Sequence, residues 1–263
     1  MIVDKIIAVV KKDAITAARY RNGFLLSNLA QVAQLATFYY LARAVGPQFR
    51  PEGMPYFLFL LIGTGFYTFL LAGTHSFLKI IQESQQTGTL EVLLTTSTPA
   101  AVLVSLGALS AFGEELVQFV IYIGAGILLF APALHMSVVS CLLAFGLSIL
   151  SAFAIGLFAA GMQISMHKGS AVLWVFGSGA WLMSGTLFPV AALPKPVQMV
   201  SYFIPFTHSL AAMRLAVLGG SFAAVAREVG ILAIFALFLV PVGITFFSWM
   251  VRQARQNGTL SFY

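Results

Sequence analysis

"QESQQTGTLEVLLTTSTP", residues 82–99, lies between two long apolar runs. It opens polar, turns faintly amphipathic and closes on a proline. Such a segment is out of place in a chain with 60% hydrophobic and only 8% charged residues. Soluble domains carry roughly 25% charged residues. Lipid is therefore the solvent for most of this chain, and a short polar segment between apolar runs belongs at the membrane surface. Gly88 supplies a break, Thr89 a helix cap, and Glu91 a carboxylate near the positive end of a new helix. A helix over about 90–97 presents Leu90, Leu93 and Leu94, and Pro99 stops it before the next run. Leucines and a carboxylate offered on a short surface helix are shaped to dock something.

Crossing the hydrocarbon takes about 20 apolar residues. Six segments meet that need: 24–42, 55–78, 101–130, 137–166, 170–188 and 228–251. Residues 116–167 carry no Asp, Glu, Lys or Arg, a run too long for one span, and "APALHM" (131–136) splits it. The expected fold is an all-α membrane protein of six transmembrane helices in a single domain, 1–263. Residues 1–21 have Val3, Ile6, Ile7, Val10 and Ala14 at helical spacing, with lysines elsewhere on the wheel. They read as an interfacial helix, with no apolar stretch that would make a cleavable signal peptide.

The formal net charge of +6 sits at the ends of the apolar runs, so it speaks of topology and not of nucleic acid. With both termini cytoplasmic, Lys5, Lys11, Lys12, Arg19, Arg21, Lys79, Lys168, Arg252 and Arg255 lie inside, and Arg43, Arg50, Lys195, Arg214 and Arg227 outside. Nine against five favours that orientation and makes residues 82–99 cytoplasmic. The segment 187–220 holds Pro189, Pro194, Pro196 and Pro205 and ends at Gly219-Gly220. A straight span cannot accommodate them. Two short helices, about 196–203 and 206–218, fit an outer re-entrant hairpin.

Intramembrane chemistry has few candidates. The four histidines are far apart in sequence, no zinc-protease or phosphate-loop motif occurs, and Leu182 spoils a partial serine-protease motif at Ser184-Gly185. Cys141 is a lone cysteine inside an apolar run. Glu114 and Glu115 fall halfway along an apolar run, where charge is costly and worth a functional reading, but that run is longer than one span, so its first turns can instead protrude and carry both to the inner interface as structural residues. Adjacent helical positions lie about 100° apart, so at most one of the two faces the protein core. Small residues in "AIGLFAAG" (154–161) and "FGSGAW" (176–181) permit close helix contact. Phe66, Tyr67 and Phe69 in the second span, with Trp174, Phe176 and Trp181 in the fifth, are candidates to line an apolar path.

"ESQQTGTLEVLLTTSTP" resembles the E-x-x-x-G-T-L-E-x-L-L-x-T-P stretch of ABC type-2 exporter permeases, through Glu83, Gly88, Thr89, Leu90, Glu91, Leu93 and Leu94. "TTSTP" inserts one residue before the proline. "SGTLFPVAALPKPVQMVSYFIPFTHSLAAMRLAVLGG" is similar to the family's segment before the last span, through Gly185, Phe188, Pro189, Leu193, Pro194, Pro205, Thr207, Arg214 and Gly219. The resemblance covers the whole chain. It implies an ATP-driven exporter of hydrophobic or amphipathic substrates, such as a drug, a lipid or a lipid-linked glycan, in a prokaryotic cytoplasmic membrane. It leans to the drug and small-amphiphile branch over the polysaccharide branch. Two permease chains, identical or different, would pair and bind two copies of a separate ATPase subunit. That partner would bind ATP and Mg, hydrolyse the ATP and receive the 82–99 coupling helix. This chain would hold no cofactor, no metal and no catalytic residue. The resemblance also implies a path between the second and fifth spans. The outer hairpin, with Phe188, Pro189, Leu193 and Pro194, is read as a gate above that path. The alternative is a proton-coupled carrier using Glu114 or Glu115.

Single cysteines placed at Gln85 and Lys195 in a Cys141→Ala background are expected to label from opposite sides of the membrane. Labelling of both by the same impermeant reagent from one side would break the six-span layout.

Overall fold

The computed structural model describes residues 21–90, 100–130, 136–166, 168–220 and 222–257. The interfacial helix read over 1–21 lies outside these residues but for Arg21. Glu91, Leu93, Leu94 and the rest of 91–99 also lie outside them. The described elements are helical throughout, with no strand among them. In chain order they are α1 (Arg21–Val45), α2 (Tyr56–Gln86), α3 (Ala100–Phe130), α4 (Val138–Met166), α5 (Gly169–Met183), α6 (Lys195–Ser201), α7 (Pro205–Val217) and α8 (Phe222–Asn257).

Four of them, α2, α3, α4 and α8, are long and apolar enough to cross a membrane. They mark the chain as a membrane protein. The other two expected spans come out differently. α1 has 25 residues but carries Asn22, Ser27, Asn28, Gln31 and Gln34 along its length. α5 stops at Met183 and not at 188. Its 15 residues rise only about 22 Å, against a hydrocarbon core of about 30 Å. Gly185, at φ +80°, and Pro189 end it early, because neither continues a right-handed helix. Residues 175–180 of α5 form a π turn, so "FGSGAW" is a local widening of the helix and not a plain packing stripe.

α2 is the central helix. It packs against α1, α3, α4 and α7, and almost all of its apolar window is buried. α4 packs against α2, α5, α7 and, most extensively, α8. Small residues make those contacts close. Gly156 lies under the Phe77 ring, Gly161 under Phe246 and the Phe247 backbone, and Gly243 against the Ala154 backbone. The reading of 154–161 as a close-contact stripe matches this packing. α3 and α8 turn apolar residues such as Leu128, Leu129, Leu237 and Phe238 outward, as a lipid-facing surface requires. α3 and α4 barely touch each other, and α2 floors the gap between them.

The bundle has two chemically distinct ends. At one, the α1–α2 turn meets the 184–220 segment, and Ser137 N–H donates to the Ala216 carbonyl at 3.0 Å. This is the cap end. At the other, α2 terminates near the α4–α5 link. Gln163 Nε2 donates to Gln85 Oε1 at 3.1 Å, and Gly169 N–H donates to Gln163 Oε1 at 3.2 Å. The 31 residues of α2 separate the ends by about 45 Å. Gln85 and Lys195 thus lie at opposite ends of the bundle, and because Gln85 is buried, its exposed neighbour Gln86 is the position to label at that end.

Gly156→Leu is expected to lower stability by about 1–3 kcal/mol, since its side chain would displace the Phe77 ring from a packed contact. Thermal unfolding in detergent, compared with Gly146→Leu in open space on the same helix, checks this.

Candidate functional site

Three places gather polar or functional residues: the Gly88 end, the cap end, and a pocket between α1, α2 and α3.

At the Gly88 end, α2 stops as its sequence directs. Thr87 N–H donates to the Glu83 carbonyl at 2.9 Å, and Thr87 Oγ1 donates to the same carbonyl at 2.8 Å. Gly88 follows at φ +68°, the left-handed position that glycine occupies at helix C-termini. The Thr87 and Thr89 hydroxyls are 2.9 Å apart. Glu83 is exposed and pairs with Lys79 one turn back, at 3.8 Å. Gly88 and Thr89 are exposed, whereas Leu90 is 1% exposed and belongs to the chain's own core cluster. This corrects the reading of Leu90 as an anchor for another subunit. Its side chain is already spent on internal packing.

At the cap end, residues 184–194 leave regular helix, and their carbonyls need donors. Backbone N–H groups of Ala192, Leu193, Val197 and Gln198 serve Pro189, Val190 and Pro194, and side chains supply others. Arg214 of α7, 2% exposed, donates through Nη2 to Gly185 O at 2.8 Å, Phe59 O at 3.2 Å and Thr186 O at 3.4 Å. Tyr56 OH donates to Leu187 O at 3.1 Å. Gln198 Nε2 donates to Leu193 O at 2.7 Å and Ala191 O at 3.1 Å. The Arg214 guanidinium carbon lies 3.4 Å from the Phe59 ring centroid, and Nη1 is 3.7 Å from Glu52 Oε2. Glu52 takes φ +54°, a conformation that non-glycine residues rarely adopt. Burial draws the guanidinium pKa down to about 10, and the Glu52 charge opposes that, so it remains a cation at neutral pH. A Cβ on Gly63 would collide with Arg214 Nη2 and the Thr186 carbonyl. Phe188, Pro189 and Leu193 are half-buried in this segment and Pro194 is exposed. Nearby, His208 of α7 lies 2.7 Å from Glu228 Oε2 of α8 through Nδ1, and its Nε2 donates to Tyr202 O at 3.0 Å.

The six residues expected to line a path do not form one surface. Phe66 and Phe69 share a face of α2 and stack with Phe119 and Phe145 in the core. Tyr67 lies about 100° away and donates its hydroxyl to the Phe176 carbonyl in the π turn of α5. Phe206 packs edge-on against Tyr67, 5.4 Å between centroids. Phe66, Tyr67 and Phe69 are thus core residues of α2, and this corrects their reading as path lining. Helical geometry explains the outcome: three aromatics within one turn point to different neighbours. Trp174 is 69% exposed, while Trp181 is half-buried against the core.

Two pockets flank α2 and α3. One, of about 320 Å³, is wholly apolar and lies in the gap between α3 and α4, with Leu58, Ile123, Cys141, Phe145 and Met213 in its walls. The other, of about 70 Å³, is polar and lies between α1, α2 and α3, where Gln31, Gln34, Thr64, Thr68, Glu115, Gln118 and Tyr122 line it beside Phe69 and Phe119. Phe119 borders both. Glu115 enters the polar pocket while Glu114 is exposed, as their 100° offset requires. Gln31 Nε2 donates to Gln118 Oε1 at 3.3 Å. Gln31 Oε1, Thr64 Oγ1 and Tyr122 OH are buried with no partner among the described residues. Each such orphan costs about 1–3 kcal/mol.

The sequence reading passed over Arg214 as an anchor, Gly63 as its cradle, and the glutamines of α1 and α3. The arginine was visible as a cation next to a proline-rich apolar stretch. The glutamines were visible as polar residues in otherwise apolar runs. No family model and no curated protein matches this chain.

Arg214→Lys is expected to destabilise the chain by several kcal/mol, because one ammonium cannot at once take up the three carbonyls that Nη2 serves, reach Glu52 as Nη1 does, and lay a planar face on the Phe59 ring. Thermal unfolding in detergent measures this. A lysine variant as stable as the parent would remove the guanidinium from its anchoring role.

Proposed function

We propose that the chain is the permease subunit of an ATP-driven exporter of the ABC type-2 kind. Six spans would set both termini in the cytoplasm of a prokaryotic cell. The observation that carries the reading is the stop of α2 at Thr87-Gly88, directly before T-L-E-x-L-L and at the opposite end of the bundle from the proline-rich cap. Work done on one end of a rigid 31-residue helix is delivered to the other. The exposed residues of this end, Glu83, Gly88 and Thr89, together with Glu91, Leu93 and Leu94, are the proposed contact with a separate ATPase. That partner hydrolyses ATP, and this chain performs no catalysis itself. A second permease chain completes the path. The exposed face of α5 around Trp174 is its proposed lining, and the Phe188–Pro194 segment held by Arg214, Tyr56 and Gln198 is the outer gate. α1 and α5 serve as the remaining two spans, α5 completed by the cap residues that follow it.

Glu115, drawn into a polar pocket inside the bundle, favours a second reading, a proton-coupled carrier. The two differ in what drives transport: an ATPase partner, or a pH gradient acting on this chain alone.

Glu91→Arg is expected to leave the permease folded but to weaken association with the ATPase by a few kcal/mol, through like charges at a partly desolvated contact. Leu90→Asp is expected to do the reverse, lowering the permease's own melting temperature, because Leu90 is buried within the chain. Co-purification with the ATPase and thermal unfolding are measured on both variants. Normal association and transport by Glu91→Arg would remove residues 88–97 from the coupling role.

A further inference from the structure

We propose that the polar pocket between α1, α2 and α3 is a binding site for the protonated amine head of a small amphiphile. The proposal gives the exported substrate a chemical class, and for that it rests on the export reading. The binding itself requires neither ATP nor a partner.

The first observation is what the pocket lacks. Glu115 lines it and makes no hydrogen bond or ion pair among the described residues. No lysine or arginine lines it among those residues. Lys79 acts on Glu115 from outside the lining, so the lining itself offers a carboxylate and no cation and would repel phosphate, sulfate or carboxylate heads.

The second observation is independent of charge. Thr64 is 3% exposed and Tyr122 is 5% exposed, and both line the same pocket with hydroxyls that have no partner among the described residues. The Gln31 amide uses its nitrogen on Gln118, which leaves its buried Oε1 free to accept. Buried polar groups are ordinarily satisfied within a fold. Here three orphans and a carboxylate converge on one space, and all of them can accept a hydrogen bond. An alkylammonium brings a positive charge and up to three N–H donors, matching that set.

Size and surroundings select further. About 70 Å³ accommodates a small head and its first methylenes, not a whole drug molecule. Phe69 and Phe119 line the same pocket and supply apolar surface to the start of a tail. Thr68 and Gln34 are exposed at its mouth, which leaves a way in from the side of the bundle. A compact primary or secondary amine fits better than a bulky quaternary one.

The test is calorimetric titration of octylamine into the full chain held in phosphatidylcholine nanodiscs at pH 7, with empty nanodiscs subtracted. Octanol, octanoate and sodium chloride are titrated in parallel. Saturable octylamine binding is expected, weakened roughly tenfold or more by Glu115→Gln and about threefold by Tyr122→Phe. Both variants are checked for intact folding by size exclusion and thermal unfolding. Octanol binding as tightly as octylamine, or equal octylamine binding by the parent and Glu115→Gln, would overturn the proposal. So would saturable sodium binding with no octylamine binding, which would assign the pocket to an inorganic cation. Octylamine binding by a chain that never associates with an ATPase would leave the pocket standing and remove the export reading.

Discussion

Irregular backbone buried among apolar helices must have its carbonyls satisfied, and where the turn at 190–193 does not reach, side chains do that work. Residues 184–194 leave α5 without continuing as helix. Arg214, Tyr56 and Gln198 reach in from three separate elements to take up their carbonyls. The arginine matters most, because its one cation joins α7 to α2 and to the turn after α5. A buried guanidinium costs several kcal/mol unless it is well coordinated. The Gly63 notch, the Phe59 ring and Glu52 in a strained turn are the structural means by which that cost is met. Without them the segment would have to splay into solvent, and the short helices α6 and α7 would lose their seat.

The rest of the bundle follows from that seat. α7, which carries Arg214, packs on α2, α4 and α8. α2 is then enclosed on nearly all sides, which is why its aromatics became core and not a path. Two of the gaps that remain lie beside α3, where helices meet less fully. Those gaps are the apolar groove against α4 and the polar pocket against α1. One chain thus offers an apolar and a polar recess that share the Phe119 wall.

Long apolar runs were legible from composition alone, and α2, α3, α4 and α8 lie where those runs predict. The proline spacing placed α6 and α7 to within two residues. The early end of α5 was not legible from hydropathy, because 184–188 carry no charge and end in Leu187-Phe188 while Gly185 turns left-handed. The facing of Phe66, Tyr67 and Phe69 was also hidden, since composition reports that an aromatic is buried but not against which neighbour. Glu114 and Glu115 were separable by helical geometry. The glutamines of α1 that complete the Glu115 pocket were not, because they lie 81 and 84 residues away in sequence and meet it only through packing.

The proposal that this chain is a machine driven from outside the membrane can be judged by native mass spectrometry of the complex extracted gently from its own membrane. The expected result is an assembly of two permease chains with two copies of a soluble ATPase, which separates when Glu91 is changed to Arg. A lone chain, or a pair of chains without an ATPase, that moves substrate under a pH gradient would contradict it.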